Sequence, residues 1–145
     1  MQTIRVLMVD DNAEFLEAAE RFVSTIPNVR VVGNACSGKE ALKSVDALTP
    51  TLVLMGYVMP DMNGIEATRR IKRLPGGPRV VILTLHDVPE YHLQAKEAGA
   101  DGFLSKVDFV TDLLPMIDSL FKHSPELSNE ATAKQAQPVP QNGNF

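Results

Sequence analysis

Thr51-Leu52-Val53-Leu54-Met55-Gly56-Tyr57-Val58-Met59-Pro60 holds four consecutive apolar residues, then a glycine, then a loop that runs to a proline. A strand with one wet face alternates apolar and polar residues. A strand without that alternation is buried on both faces, as in parallel sheets covered by helices. The stretch predicts a strand over Thr51–Met55 that ends at Gly56. Outward from it, Ile4–Val9 is apolar apart from Arg5, and Arg79–Thr84 contains Val80-Val81-Ile82-Leu83. Val29–Val32 and Gly102–Leu104 are shorter strands of the same kind.

Amphipathic segments fill the gaps. Phe15, Leu16, Ala19, Phe22, Val23 and Ile26 recur at helical spacing. Ser37-Gly38-Lys39-Glu40 is a capping box, opening a helix that buries Ala41, Leu42 and Val45. Asn63 caps a third helix with Glu66 at its third position and Ile65, Thr68 and Ile71 on one face. Asp87-Val88-Pro89-Glu90 opens a fourth, with proline in the tolerated first turn, and Gly99 suits its left-handed end. Thr111 is the expected cap of a last helix running to about Lys122, with Pro115 in its first turn. Five βα repeats predict an α/β fold: a doubly wound, five-stranded parallel sheet of flavodoxin-like (βα)5 type, strand order 2-1-3-4-5. Ligands bind such sheets at the switch point beside strands one and three, where Asp10, Asp11 and Gly56 fall.

The 145 residues suit one domain plus a tail: a folded unit over 1–122, then 123–145. From Ser124 the chain is rich in Ala, Gln, Asn, Pro and Ser and has little apolar periodicity, which predicts a disordered tail or the stub of a linker. No apolar run approaches the ~20 residues of a membrane span, and Met1-Gln2-Thr3-Ile4-Arg5 has no signal-peptide layout. Cys36 is the single cysteine, so no internal disulfide forms, which fits a reducing cytoplasm. The net charge of −4 argues against direct nucleic-acid binding by this chain.

Adjacent acids after a strand can hold magnesium, one directly and one through water, but taken alone they fit a solvated turn or helix cap better. Thr84 can be an ordinary β-branched strand residue and Lys106 an ordinary loop charge. Their joint placement at the ends of strands one, four and five, with the loop Met59-Pro60-Asp61-Met62-Asn63-Gly64, resembles the site of a response-regulator receiver domain over Ile4 to about Lys122. The resemblance is closest to the subfamily often joined to helix-turn-helix output domains.

That resemblance implies roles. Asp10 and Asp11 form the acidic metal pocket, and the backbone carbonyl of Val58 is a further magnesium ligand. Thr84 is the hydroxyl that meets a phosphoryl group, Lys106 pairs with a phosphoryl oxygen, and Phe103 is the aromatic whose rotamer follows the switch. A sensor histidine kinase or an output protein meets the surface of the fourth and fifth helices with the fifth strand. No enzyme activity and no organic cofactor are implied.

Three positions depart from the family. Gly56 stands where the phosphate-accepting aspartate belongs, so both the nucleophile and the third metal carboxylate are missing, and magnesium binding is expected to be weak. Asp61, beyond Pro60, is expected to be a variable outward residue and a poor substitute. Leu85 stands where a small residue is usual and narrows access. Val107 replaces a frequent cis proline, so a trans peptide is expected there. Two histories fit Gly56: a natural pseudo-receiver, or an engineered or recent loss.

Two other functions on this fold fit the residues less well. A flavin or nucleotide carrier needs a hydroxyl- and glycine-rich phosphate loop, whereas the turn here is Asp10-Asp11-Asn12-Ala13-Glu14. An aspartate-dependent phosphatase of the haloacid dehalogenase type needs Asp-x-Asp, and Asn12 takes the second acid's place.

Overall fold

The computed structural model describes residues 3–121. The strands are β1 (Ile4–Val9), β2 (Val29–Ala35), β3 (Leu52–Gly56), β4 (Arg79–Thr84) and β5 (Gly102–Ser105). The helices are α1 (Ala13–Val23), α2 (Gly38–Leu48), α3 (Gly64–Lys72), α4 (Pro89–Glu97) and α5 (Phe109–Phe121). The strands form one parallel sheet in the order β2-β1-β3-β4-β5. The expected fold and strand order are those observed. The expected tail, 123–145, and the helix end at Lys122 lie outside the described residues. None of the described helices is long and apolar enough to cross a membrane.

Successive strand residues point to opposite faces, and here both faces are covered. Leu7, Val9, Val53, Met55, Val80 and Ile82 pack with Ala41, Val45, Ile65, Ile71 and Ala95 of α2, α3 and α4. Val6, Met8, Leu52, Leu54, Val81 and Leu83 pack with Leu16, Ala19, Val23, Leu113 and Ile117 of α1 and α5. Each large aliphatic side chain buried this way contributes roughly 1.5–3 kcal/mol.

The helix starts follow the local chemistry. Asn12, Ser37 and Asn63 each accept a hydrogen bond three residues on, from the N–H groups of Phe15, Glu40 and Glu66 at 3.0, 3.1 and 2.9 Å. Pro89 is the first residue of α4, and Gly99 takes φ +95° just beyond its end.

Two boundaries differ from expectation. β2 runs on to Ala35, because β1 offers partners through Val9 and the register slips once, with Val6 opposite Val31 but Leu7 opposite Gly33. An extra residue is tolerated because β2 lies at the sheet edge. α5 begins at Phe109, not after Thr111. Phe109 is buried edge-on against Phe15 and Phe22, with ring centroids 5.5 and 6.1 Å away, and this packing draws the first turn forward. Thr111 therefore lies inside the helix, where its hydroxyl donates to the Asp108 carbonyl. Pro115 falls in the second turn. It lacks the N–H that would bond the Thr111 carbonyl, and both residues are exposed, so water can meet that carbonyl.

Thr68 of α3 is fully buried, and its hydroxyl has no hydrogen-bond partner. Thr68→Val keeps the shape and removes the orphaned group. Urea unfolding is expected to show a gain of about 1 kcal/mol.

Candidate functional site

The strand register determines which side chains meet. Val9 lies beside Met55, Gly56 beside Leu83, and Thr84 beside Ser105. The Lys106 N–H donates to the Thr84 carbonyl at 2.8 Å. Asp10, Gly56, Thr84 and Lys106 thus converge on one corner, at the carboxyl ends of β1, β3, β4 and β5.

Asp10 is 1% exposed. Its Oδ1 accepts the Asn12 N–H at 2.9 Å. Its Oδ2 lies 2.6 Å from the Lys106 ammonium, off the hydrogen-bonding direction, so it has a charge partner but no hydrogen bond. The Lys106 side chain is 13% exposed, and its ammonium stands 4.5 Å from the centroid of the Phe15 ring. Removing one partner of a pair this deep leaves an uncompensated charge, a loss of roughly 3–5 kcal/mol.

Glycine is what lets Asp10 sit there. A Cβ at Gly56 would lie 2.6 Å from Asp10 Oδ2, 3.2 Å from its Cγ and 3.3 Å from the Val9 carbonyl oxygen. The Asp10 carboxylate leans over the place where a side chain at 56 would begin. On the other side, the Gly64 N–H donates to the Tyr57 carbonyl at 2.8 Å, and a Cβ at Gly64 would lie 2.1 Å from the Gly56 carbonyl oxygen. The start of α3 is pressed onto the end of β3, backbone against backbone.

The buried Thr84 hydroxyl accepts the His86 N–H at 3.1 Å and donates to the His86 carbonyl at 3.3 Å. Phe103 is buried on β5 with the His92 ring stacked on it at 3.8 Å, and His92 Nε2 lies 2.5 Å from Asp87 Oδ1. Tyr57 stacks on Tyr91 at 4.3 Å and donates to Gln94 Oε1 at 2.8 Å. Burial first, then Tyr91 and Glu90, hold the Tyr57 phenol above its ordinary pKa. Val58 and Leu85 are 65% and 61% exposed. Asp11 is exposed, and its carboxylate has no hydrogen bond or ion pair among the described residues.

Magnesium needs several oxygen ligands in near-octahedral array. Among the described residues no three His, Cys, Asp or Glu side chains gather to hold a metal. Asp10 Oδ2 has the free lone pair a cation would want, but an ammonium already stands against it. As arranged, these residues do not make a magnesium cage.

Asp61 is exposed, as expected of an outward residue, but its carboxylate is engaged by backbone. Its Oδ1 accepts the Gly38 N–H and its Oδ2 the Lys39 N–H, each at 2.9 Å, and Oδ1 also accepts the Met62 N–H at 2.8 Å. With Ser37 on the Glu40 N–H, and Glu40 Oε1 on the Cys36 N–H at 2.8 Å, the start of α2 is saturated. Nothing local in the sequence signals this, because Asp61 is 23 residues from Gly38 and the Ser37–Glu40 box already looks complete.

Gly64→Ala is expected to destabilise the chain by about 1–3 kcal/mol in urea unfolding, because the added methyl meets backbone that cannot yield cheaply. The Lys39 and Gly38 amides, in that order, hold the Asp61 carboxyl below the usual carboxylate range. A depressed pKa gives stability that is complete above the unfolded value near ~4 and is lost as pH falls through the folded value. Asp61→Asn is therefore expected to lower the melting midpoint at neutral pH, and the gap to the parent should narrow progressively below about pH 4.

Residues 6–118 match the response regulator receiver domain family. The chain is 33% identical to the response regulator GacA of Pseudomonas viridiflava over 98% of its own length and 68% of that protein. It is 36% identical to the response regulator protein VraR of Staphylococcus aureus over 77% of its length and 53% of that protein. It thus spans about half to two thirds of these relatives. Among solved structures, a two-component response regulator of the LuxR family from Aurantimonas matches with TM-score 0.79 and 31% identity, over 94% of this chain and all of that one. The response regulator domain of Thermotoga maritima CheB matches with TM-score 0.77 and 27% identity, over 86% of this chain and all of that one.

Proposed function

Because this chain belongs to the response regulator receiver family, we propose that it is a two-component signalling module in which Gly56 occupies the phosphoacceptor position, so that it signals without taking a phosphoryl group. The observation that carries this is the corner itself. Asp10, Thr84 and Lys106 surround the end of β3, and the residue they surround has no side chain. Phosphoryl transfer to a carboxylate needs a carboxylate nucleophile, and glycine supplies none. Asp61 does not replace it, because both its oxygens are engaged by the backbone at the start of α2.

In this reading Asp10 and Asp11, with the Val58 carbonyl, are what remains of a magnesium pocket, and their hold on the metal is weak. Thr84 and Lys106 keep their places beside an absent acceptor, and Phe103 remains the aromatic under α4. Residues 1–122 form the receiver unit, with 123–145 a tail or linker. Output runs through protein contact on α4, β5 and α5. Leu93 on α4, Val107 after β5, and Val110 and Leu114 one turn apart on α5 are large exposed apolar side chains there. The partner is a sensor histidine kinase, an output protein, or both, in the cytoplasm. The chain itself binds no nucleic acid, crosses no membrane, catalyses no turnover and carries no organic cofactor.

Incubation with acetyl phosphate and magnesium, read by intact mass, tests the reading. The chain as it stands is expected to gain nothing, and Gly56→Asp to gain one phosphoryl mass once Asp10 withdraws from over residue 56. A hydroxylamine-sensitive phosphate on the parent chain would refute the reading. Labelling of neither form would mean that the pocket is closed by more than Gly56, with Leu85 the first suspect, and would favour a natural pseudo-receiver over a recent loss.

A further inference from the structure

The geometry points to Lys106 as the resident cation of this site: its ammonium takes the place at Asp10 that a divalent metal would need, and the missing side chain at Gly56 is what admits it. Three observations carry this. Asp10 Oδ2 is buried, lacks a hydrogen bond, and faces the ammonium at 2.6 Å. A Cβ at residue 56 would lie 2.6 Å from that same oxygen, so the Asp10 position is open only above a glycine. The ammonium stands 4.5 Å from the centroid of the Phe15 ring on a side chain only 13% exposed, which suits a charge that stays in place.

A divalent cation would have to displace an ammonium already neutralising a buried carboxylate, and would meet repulsion from it as it approached. The other acid of the pair, Asp11, is exposed. Two carboxylates and one ammonium leave the corner with one net negative charge. A site with a third acid would hold two, and charge count tunes affinity for hard cations. The corner is therefore closed by its own lysine and does not depend on magnesium. The inference uses the receiver reading only in choosing magnesium as the competitor, and acetyl phosphate labelling tests that reading separately, so the two can fail independently.

Thermal melts with and without about 10 mM magnesium decide it, with the same concentration of a monovalent salt as control. The parent chain is expected to show no shift beyond that control. Lys106→Met, which leaves Asp10 without its partner, is expected to melt lower and to recover by about 3–6 °C with magnesium. Asp10→Asn/Lys106→Met removes both charges and is expected to fold without responding. Gly56→Asp, whose side chain expels Asp10 from the ammonium, is expected to gain a magnesium response. A parent chain stabilised by magnesium as much as Lys106→Met would overturn the inference. So would a Lys106→Met chain that ignores magnesium, or one that stays unfolded at every magnesium concentration while the double variant folds.

Discussion

β3 is buried along its whole length, with strands on both edges and helices on both faces. Nothing polar can sit along such a strand without an internal partner. The polar groups of β1, β3, β4 and β5 are therefore pushed to the strand ends, Arg5 and Arg79 at the amino ends and Asp10, Thr84 and Lys106 at the carboxyl rim, where water returns. That confinement brings Asp10, Thr84 and Lys106 together although 96 positions separate the first from the last. It also sets the chemistry of the rim. A carboxylate as deep as Asp10 needs a countercharge, and the nearest is the ammonium of Lys106.

Two glycines shape that rim in different ways. Gly64 is required by backbone contact, because the start of α3 rests on the Gly56 carbonyl. Gly56 is required by nothing so rigid, since the atoms a Cβ would meet there are mainly those of the Asp10 side chain. A residue larger than glycine could stand at 56 if Asp10 turned away. The present arrangement is then a choice between two contents of one small space: a side chain from β3, or the Asp10 carboxylate drawn toward Lys106. The sequence holds the second.

The rim is tied to two helices by contacts that the reaction chemistry would not require. Asp61 saturates the start of α2 from the loop after β3. On the other flank Thr84 ends β4 and bonds His86 of the loop that follows, which also carries Asp87. Asp87 meets His92 of α4, and the His92 ring covers Phe103 of β5. The corner is thus joined by direct contact to α4 and β5, which with α5 and the turn after β5 carry the exposed apolar side chains Leu93, Val107, Val110 and Leu114. A module that signals through its surface needs such contiguity whether or not a phosphoryl group is ever attached.

The sequence by itself determined the fold class, the strand order and the starts of α2, α3 and α4. Burial on both faces leaves continuous apolar runs at Leu52–Met55 and Val80–Leu83, and caps such as Ser37 and Asn63 act within three residues. It also placed Asp10, Gly56, Thr84 and Lys106 at strand ends, because a parallel sheet puts every such end on one rim. What only the tertiary structure decided is what these groups do to each other. The lean of Asp10 over Gly56, the ammonium against its Oδ2, the grip of Asp61 on α2 and the forward start of α5 under Phe109 all join residues far apart in the chain. Such contacts depend on how packed elements are placed against each other in space, and neither periodicity nor capping chemistry carries that information.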